Sequence, residues 1–354
     1  MANGNPPQPG GDGETANVIS SPPGRHVPES TASRDPGTVL LLADGPIPLH
    51  EKLERLCGKT HLLVGKSLEA LGQGLANATV IFNWSGSRKL LHDVFVNCPK
   101  VRWIHSRSAG LERSLFPELV ESAVVLTNGT GVFSPSLGEF ALGAILYFAK
   151  DMRRLIRNQM NETWEPFDVL MCAGQTVGII GYGDIGHEVA ARVRTLEMKV
   201  LAVKRHVPPH SDELADHIYG LGGILEMLSR SDYVVVATPL TQETKGMIGE
   251  RELAAMRPTG VLINLGRGPV INEQALVQVL SQKRIKGAAL DVFDKEPLPV
   301  GHPFYKLENV LLSPHCADHT ADWLDNAMQF FLEQLQRFHA GAPLLNVVDK
   351  KLGY

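Results

Sequence analysis

The sequence predicts an α/β protein with two doubly wound, Rossmann-like domains. Short apolar runs rich in β-branched residues recur along the chain, and about 20 residues separate successive runs, which leaves room for one helix between each pair. The 354 residues are also too many for one ordinary core. Two domains imply a cleft in which a ligand can bind.

The predicted strands form two series. The first lies at 38–43, 61–64, 79–84, 101–105 and 124–127, and the second at 176–180, 199–203, 233–237, 260–265, 288–292 and 309–312. A helical pattern over 136–161 joins the two series. A second helical pattern, over 321–338, follows the last strand and is expected to pack back on the first domain.

These patterns predict the domain boundaries. Residues 38–150 and 321–354 would form one domain, with a second domain of residues 151–320 inserted in it. Residues 1–37 are rich in Pro, Gly, Ser and Asn, which predicts a disordered tail. An organelle transit peptide is the alternative for this tail, but its acids argue against targeting and for a cytoplasmic location: Asp12, Glu14, Glu29 and Asp35.

Composition restricts the partners. A formal net charge of -4 and the absence of a long basic run argue against nucleic acid or an anionic membrane as the main partner. No apolar run approaches the ~18 residues that a membrane span needs. The cysteines are scattered without metal-ligand spacing, which argues against structural zinc and suits a reducing compartment: Cys57, Cys98, Cys172 and Cys316. A small molecule is therefore the expected partner, and no metal is expected.

The motif TVGIIGYGDIGHEVA runs from an apolar strand through three glycines into a helix. In this context glycines let the backbone approach a pyrophosphate at the positive end of the helix. An ordinary tight turn is the alternative, but it would not require three glycines. The motif makes residues 151–320 the predicted dinucleotide-binding domain and leaves residues 38–150 and 321–354 as the substrate domain. The predicted dinucleotide contacts in the motif are Gly181, Tyr182, Gly183, Asp184, Ile185 and Gly186.

Other polar residues follow strands of the second series, and in a parallel sheet these positions share one edge. Thr238, Pro239 and Asp291 are predicted cofactor contacts, although a core hydroxyl and a helix cap are the alternatives for Thr238 and Asp291.

Three residues at this edge have the chemistry for reducing a 2-oxo acid. Arg267 can bind a carboxylate through two hydrogen bonds and polarise the adjacent carbonyl. His315 can exchange a proton with the carbonyl oxygen, and Glu296 can orient the imidazole and favour its charged form. Taken singly, each has a structural alternative: a surface arginine, a structural histidine and a solvated loop carboxylate.

From about residue 60 to 340 the sequence resembles the D-isomer-specific 2-hydroxyacid dehydrogenases. The resemblance rests on GYGDIG, TPLTQETKGMI, INLGRGPVINEQAL, GAALDVFDKEPL and the SPH that ends at His315. It implies two Rossmann-like domains with the cofactor domain inserted. It also implies that Arg267 binds the substrate and that Glu296 and His315 are the catalytic pair.

The segment SRSAGLE resembles the family's loop whose backbone amides hold the substrate carboxylate. The resemblance therefore implies substrate binding by Ser108, Ala109 and Gly110, with a plain turn as the alternative. The segment TNGTGVFSPSLGE resembles the part of the family next to the hinge. One departure follows His315, where Cys316, Asp318 and His319 replace the family's usual small residues and leave the pocket shape open.

Two rival functions remain. A non-catalytic regulator with the same fold could sense the dinucleotide, since fold does not fix function. Joint retention of Arg267, Glu296 and His315 argues against a purely sensory role. A formate dehydrogenase is the other rival, but its reaction has no carbonyl to protonate and no need for the acid pair. The expected substrates are glyoxylate, hydroxypyruvate or a similar small 2-oxo acid, with pyruvate or a bulkier phenylpyruvate-like acid as the alternatives.

The second strand of the second series predicts the cofactor. This strand ends in Lys204 and Arg205. NAD enzymes of this type carry an acid at the same position, which accepts hydrogen bonds from the adenosine ribose. NADP is therefore expected over NAD, with a solvated basic turn as the alternative. A homodimer is also expected, from the family resemblance and from the apolar residues Phe140, Leu142, Ile145 and Phe148.

Overall fold

The computed structural model describes residues 37–58 and 61–354. The tail predicted for residues 1–37 lies almost entirely outside these described residues. In the part of the chain that is described, no helix is both long and apolar enough to cross a membrane.

The first sheet contains five strands, all parallel. They are β1 (Thr38–Leu42), β2 (Leu62–Gly65), β3 (Ala78–Asn83), β4 (Trp103–Ser106) and β5 (Val125–Asn128), in the order β2-β1-β3-β4-β5. The helices that accompany them are α1 (His50–Cys57), α2 (Leu68–Leu71), α3 (Arg88–Val96) and α4 (Pro117–Glu121).

The second sheet contains seven parallel strands. They are β6 (Thr176–Ile180), β7 (Lys199–Val203), β8 (His217–Tyr219), β9 (Tyr233–Val236), β10 (Val261–Asn264), β11 (Gly287–Leu290) and β12 (Val310–Leu312), in the order β12-β11-β10-β9-β6-β7-β8. Its helices are α7 (Asp184–Arg194), α8 (Ile224–Arg230), α9 (Glu250–Ala255) and α10 (Glu273–Ser281). The predicted two-sheet α/β fold is confirmed.

Each sheet is covered on both faces by apolar residues, which explains why its strands are continuous apolar runs. The strand β8 was not predicted, because three residues between polar segments give too short a pattern to detect.

The helical pattern predicted over 136–161 is two helices, α5 (Ser134–Ala149) and α6 (Met152–Met160), so the prediction of one continuous helix was wrong. Asp151 separates them with a left-handed φ of 46°, and its carboxylate accepts a hydrogen bond from the Arg154 amide at 3.4 Å. An aspartate tolerates this conformation and caps the next helix, so the chain restarts in a new direction.

The helix α5 buries Ala141, Ile145 and Phe148 in the core of the second sheet. A Cβ added to Gly138 would lie 3.0 Å from the backbone carbonyl of Glu188 on α7, so the two helices pack closely. The boundary near residue 150 stays a prediction, because the preceding helix contacts the second domain.

The last helix, α11 (Trp323–His339), packs on the first sheet as predicted. Phe331 stacks on Phe82 with ring centroids 4.0 Å apart and on Trp103 at 5.5 Å. The ring of His105 lies against the same residue, and burial lowers its pKa to about 3. This histidine is therefore neutral near pH 7 and belongs to the core.

Candidate active site

The three candidate catalytic residues follow adjacent strands. Arg267, Glu296 and His315 come after β10, β11 and β12, which are neighbours in the second sheet. A Cβ added to Gly268 would lie 2.0 Å from the carbonyl carbon of Phe293, so the loop of Arg267 packs directly on the loop that leads to Glu296. The parallel topology thus brings these loops together at one edge.

His315 and Glu296 form a direct pair. Nδ1 of His315 lies 2.7 Å from Oε2 of Glu296, and the other carboxylate oxygen accepts a hydrogen bond from the Phe293 amide at 3.0 Å. An ionised carboxylate can only accept, so Nδ1 carries the hydrogen and Nε2 is left for a ligand. The side chains of His315 and Glu296 are 41% and 35% exposed, so a ligand in the cleft can reach them.

The backbone of His315 has a φ of 52°, in the left-handed region that residues other than glycine rarely adopt. Asp291 holds it there. Its carbonyl accepts from the His315 amide at 2.9 Å, and its Oδ1 accepts from the amides of Cys316 and Ala317 and from the Ser313 hydroxyl at 2.6 Å. This anchoring of the histidine loop by Asp291 was not predicted from the sequence, and the cofactor contact assigned to Asp291 stays a prediction.

Arg267 contacts a loop of the first sheet. Its Nε donates to Oε1 of Glu112 at 2.9 Å, and its Nη1 donates to the Gly266 carbonyl at 2.7 Å. A Cβ added to Gly110 would lie 1.8 Å from Nη2, so only glycine allows this approach. The structure therefore brings together the arginine and the loop of Ser108, Ala109 and Gly110, and their binding of a substrate stays a prediction.

Glu112 was not among the predicted site residues, because no local feature of the sequence indicates its contact with Arg267. The side-chain amide of Asn128 donates a hydrogen bond to the Ala109 carbonyl at 2.7 Å, which restrains the loop of Ser108 to Gly110. Ser108 and Ala109 remain exposed. Two residues of the loop are thus accessible to a ligand.

The glycine-rich turn before α7 fits a dinucleotide. Gly181 has a φ of 94°, and a Cβ there would lie 2.7 Å from the Thr238 amide nitrogen. A Cβ on Gly186 would lie 2.7 Å from the Gly181 carbonyl oxygen, whereas one on Gly183 would meet nothing within 4 Å. Two glycines therefore allow tight packing, and Gly183 leaves the helix end open to a phosphate group.

Thr238 supports the same fit, because its buried hydroxyl has no hydrogen-bond partner among the described residues. A bound ligand could supply one. Asp184 and Ile185 open α7, and Pro239 is exposed beside Thr238. The Tyr182 side chain is buried and donates to Asp212 at 2.8 Å, so this residue offers the turn only its backbone.

The end of β7 is basic, with Lys204 and Arg205 as its first two residues beyond the strand. Arg205 pairs with Glu243 and donates to the Tyr354 hydroxyl. The next acid along the chain, Asp212, accepts from the Leu214 and Ala215 amides and from Tyr182. The guanidinium is thus in place at this strand end, but a ligand would have to compete with Glu243.

The residues that depart from small side chains after His315 differ in their surroundings. Cys316 is exposed. Asp318 is half-buried, and burial raises the pKa of its carboxyl above the usual range although the neighbouring His319 acts in the opposite direction. The His319 ring stacks on Trp323 at 4.5 Å. These side chains belong to the segment between His315 and α11.

Comparison with known proteins identifies the family of this chain. Residues 142–317 match the family described as D-isomer specific 2-hydroxyacid dehydrogenase, NAD binding domain. A glyoxylate reductase from Thermococcus gammatolerans is 32% identical over 278 residues, which cover 75% of this chain and 81% of that protein. A hydroxyphenylpyruvate reductase from Plectranthus scutellarioides is 34% identical over 253 residues, covering 71% of this chain and 79% of the relative.

A solved structure gives the same result for the whole fold. The D-isomer specific 2-hydroxyacid dehydrogenase from Xanthobacter autotrophicus, determined in complex with NADPH, superposes with a TM-score of 0.77. It is 28% identical and covers 90% of this chain and 99% of its own. This chain therefore belongs to the D-isomer-specific 2-hydroxyacid dehydrogenase family, whose members use a nicotinamide dinucleotide.

Proposed function

We propose that this protein is a reductase that uses NADPH to convert a small 2-oxo acid into its D-2-hydroxy acid. The observation that carries the proposal is the 2.7 Å pair of His315 and Glu296, at the same sheet edge as Arg267. A protein that only senses a dinucleotide has no need for a histidine oriented in this way. Glyoxylate and hydroxypyruvate, the substrates expected from the sequence, are small enough for the open loop at Ser108.

The residues divide the reaction between them. The chemistry that a bound nicotinamide dinucleotide supplies is hydride transfer. Arg267 binds the substrate carboxylate and polarises the adjacent carbonyl, while the amides of the loop at Ser108–Gly110 hold the carboxylate from the other side. As the new C–H bond forms at C2, the electron pair of the C=O π bond moves to oxygen, and Nε2 of His315 donates its proton there. Glu296 stabilises the charged imidazole from which this proton leaves.

Glu112 has a positioning role in this proposal. Because it accepts from Nε of Arg267 at 2.9 Å, it fixes one edge of the guanidinium and leaves Nη2 directed at Gly110. The rotamer freedom that the arginine would lose on binding is thus already restricted before a substrate arrives.

We infer that NADPH is preferred over NADH. Lys204 and Arg205 stand at the strand end where an acid would bind the ribose of NAD and repel the phosphate of NADP. An arginine fork suits a phosphate, and the dehydrogenase structure solved with NADPH shows that the family accommodates this cofactor.

The test of function and cofactor is one experiment on the wild-type protein. The substrates are glyoxylate, hydroxypyruvate and longer 2-oxo acids, and the measurement is oxidation of NADPH or NADH. We expect kcat/KM with NADPH to be about 10- to 150-fold above that with NADH, because one charge-assisted hydrogen bond changes affinity by this factor. Chiral analysis should identify a D-hydroxy acid. The absence of turnover with every 2-oxo acid would contradict the function, and equal or better use of NADH would contradict the cofactor preference alone.

Two variants serve as controls for the cofactor preference. Arg205→Asp should shift the ratio toward NADH, because it restores an acid at the end of β7. Glu243→Gln should shift it further toward NADPH, since it removes the charge that pairs with Arg205 in the structure. The opposite signs of these two shifts distinguish a phosphate contact from general damage to the fold.

A homodimer is proposed on a different surface from the one expected from the sequence. Of the four residues first considered, Ile145 and Phe148 are buried in the core of their own chain and are not available. The helix α6 and the segment after it expose large apolar side chains, among them Leu155, Ile156, Met160 and Trp164.

We expect a sedimentation mass of two chains at micromolar concentration and a shift toward one chain in Ile156→Glu. A wild-type mass of one chain would refute the dimer.

We also propose a cytoplasmic location. The four cysteines are free thiols, and three of them are buried. Free thiols are typical of a reducing compartment.

A further inference from the structure

The guanidinium of Arg107 lies between two indole rings. Its Cζ is 4.9 Å from the ring centroid of Trp84 and 5.2 Å from that of Trp323. Trp84 is buried directly after β3, and Trp323 opens α11. Both distances are within the range of a cation–π contact, so the two rings restrain a half-buried cation.

This cluster spans the two parts of the substrate site. Arg107 directly precedes the loop of Ser108 to Gly110, which is proposed to hold the substrate carboxylate. At the other end, Trp323 stacks on His319, four residues after the catalytic His315, with the rings 4.5 Å apart and 5° from parallel. If a 2-oxo acid is held between the loop and His315, its substituent would therefore lie beside the cluster of Arg107, Trp84 and Trp323.

No acid of the described residues forms an ion pair with this cation. Among the described residues, the Arg107 side chain makes no hydrogen bond and no ion pair within 4.0 Å. Burial lowers the pKa of this guanidinium, and the more distant charge of Asp44 only partly offsets this. None of its nitrogens is a fully buried donor without a partner, so the edge of the guanidinium is open to solvent, and a ligand carboxylate can reach it and form a charge-assisted pair.

We propose that Arg107, Trp84 and Trp323 form a second anion subsite, so that the preferred substrates are 2-oxo acids with a second carboxylate at the far end of the chain. This inference rests on the proposed 2-oxo acid reductase function and names its substrate class. Trp84 and Trp323 stack against the guanidinium, and its free N–H groups pair with the distal carboxylate.

Matched substrate pairs test the subsite. Oxaloacetate against 2-oxobutanoate, and 2-oxoglutarate against 2-oxopentanoate, differ in that a terminal carboxylate replaces a methyl group. We expect kcat/KM for the diacid to exceed that for the monoacid about 10- to 150-fold in at least one pair, as for a charge-assisted hydrogen bond. Equal efficiency in both pairs, or a preference for an aromatic 2-oxo acid over both diacids, would overturn the subsite.

Arg107→Leu should bring the diacid-to-monoacid ratio close to one. Because the ratio compares two substrates on the same variant, it is insensitive to partial loss of folded protein. Arg102→Leu is the matched control, since Arg102 also stacks on an aromatic ring, that of Phe338 at 4.9 Å, but lies before β4 at the opposite end of the strand. Its ratio should equal that of the wild type, and a ratio that falls equally in both variants would contradict the role of Arg107.

A binding measurement separates this inference from the proposed function. Glutarate should raise the melting temperature of the wild-type protein more than pentanoate does, and the difference should disappear in Arg107→Leu. No turnover with any 2-oxo acid, together with selective glutarate binding, would reject the reductase function and retain the anion subsite. Turnover of monoacids with no selectivity for diacids or glutarate would reject the subsite and retain the reductase.

Discussion

Replacing His315 with alanine is expected to lower the rate of 2-oxo acid reduction about 100-fold or more, the usual loss for a positioned general acid. The variant retains Arg267 and the loop at Ser108, so it should still bind the substrate carboxylate. The proton for the carbonyl oxygen would then have to come from water. We therefore expect the loss mainly in kcat, measured as NADPH oxidation under saturating substrate.

His302→Asn is a matched control for this variant. Nε2 of His302 lies 3.2 Å from Oε1 of Glu273, so the chain contains a second histidine–carboxylate pair outside the proposed reaction site. This control should keep a rate close to that of the wild type. Near-normal turnover in His315→Ala would remove the histidine from the mechanism, and an equal loss in both variants would point to a structural effect.

The strands were predictable from the sequence because each is a local, continuous apolar run. The structure places β6 at Thr176–Ile180 and β7 at Lys199–Val203, the same residues as predicted, and the other predicted strands differ by one or two residues at their ends. The break at Asp151 could not be predicted from periodicity, since α5 and α6 share a helical pattern across it. Its cause is one left-handed residue.

The candidate site was predictable where a residue is tied to a strand end. Arg267, Glu296 and His315 follow consecutive strands in the sheet, so topology alone brings their loops together. Contacts between the two sheets were not predictable in this way. Glu112 meets Arg267 across 155 positions of sequence, and nothing local in either segment indicates that contact.

The same limit applies to Asp291 and Arg107. The sequence shows an acid after a strand, but not that its Oδ1 accepts hydrogen bonds from the loop of His315. Arg107 stands in a loop singled out for its small neighbours, and its two indole contacts come from the ends of β3 and α11. Roles that depend on packing between distant segments need the structure.

Arg267→Lys is expected to raise KM for the 2-oxo acid and to lower kcat, with kcat/KM reduced about 10- to 150-fold. Lysine keeps the charge but presents an ammonium, which cannot donate two parallel hydrogen bonds to a carboxylate. It would also lose the Nε contact by which Glu112 orients the side chain at 2.9 Å. Both KM and kcat should change, because the guanidinium is proposed both to bind the substrate and to polarise its carbonyl.

Arg257→Lys is the control for charge-conserving replacement in the same sheet. Nη1 of Arg257 lies 2.6 Å from Oδ1 of Asp232, and this arginine precedes β10, at the strand end opposite Arg267. Its kinetics should match those of the wild type. Unchanged KM and kcat in Arg267→Lys would show that charge alone suffices at this position, and would contradict the proposed bidentate contact. A rise in KM with kcat unchanged would leave Arg267 as a binding residue and remove carbonyl polarisation from its role, since an interaction equal in ground and transition states changes only KM.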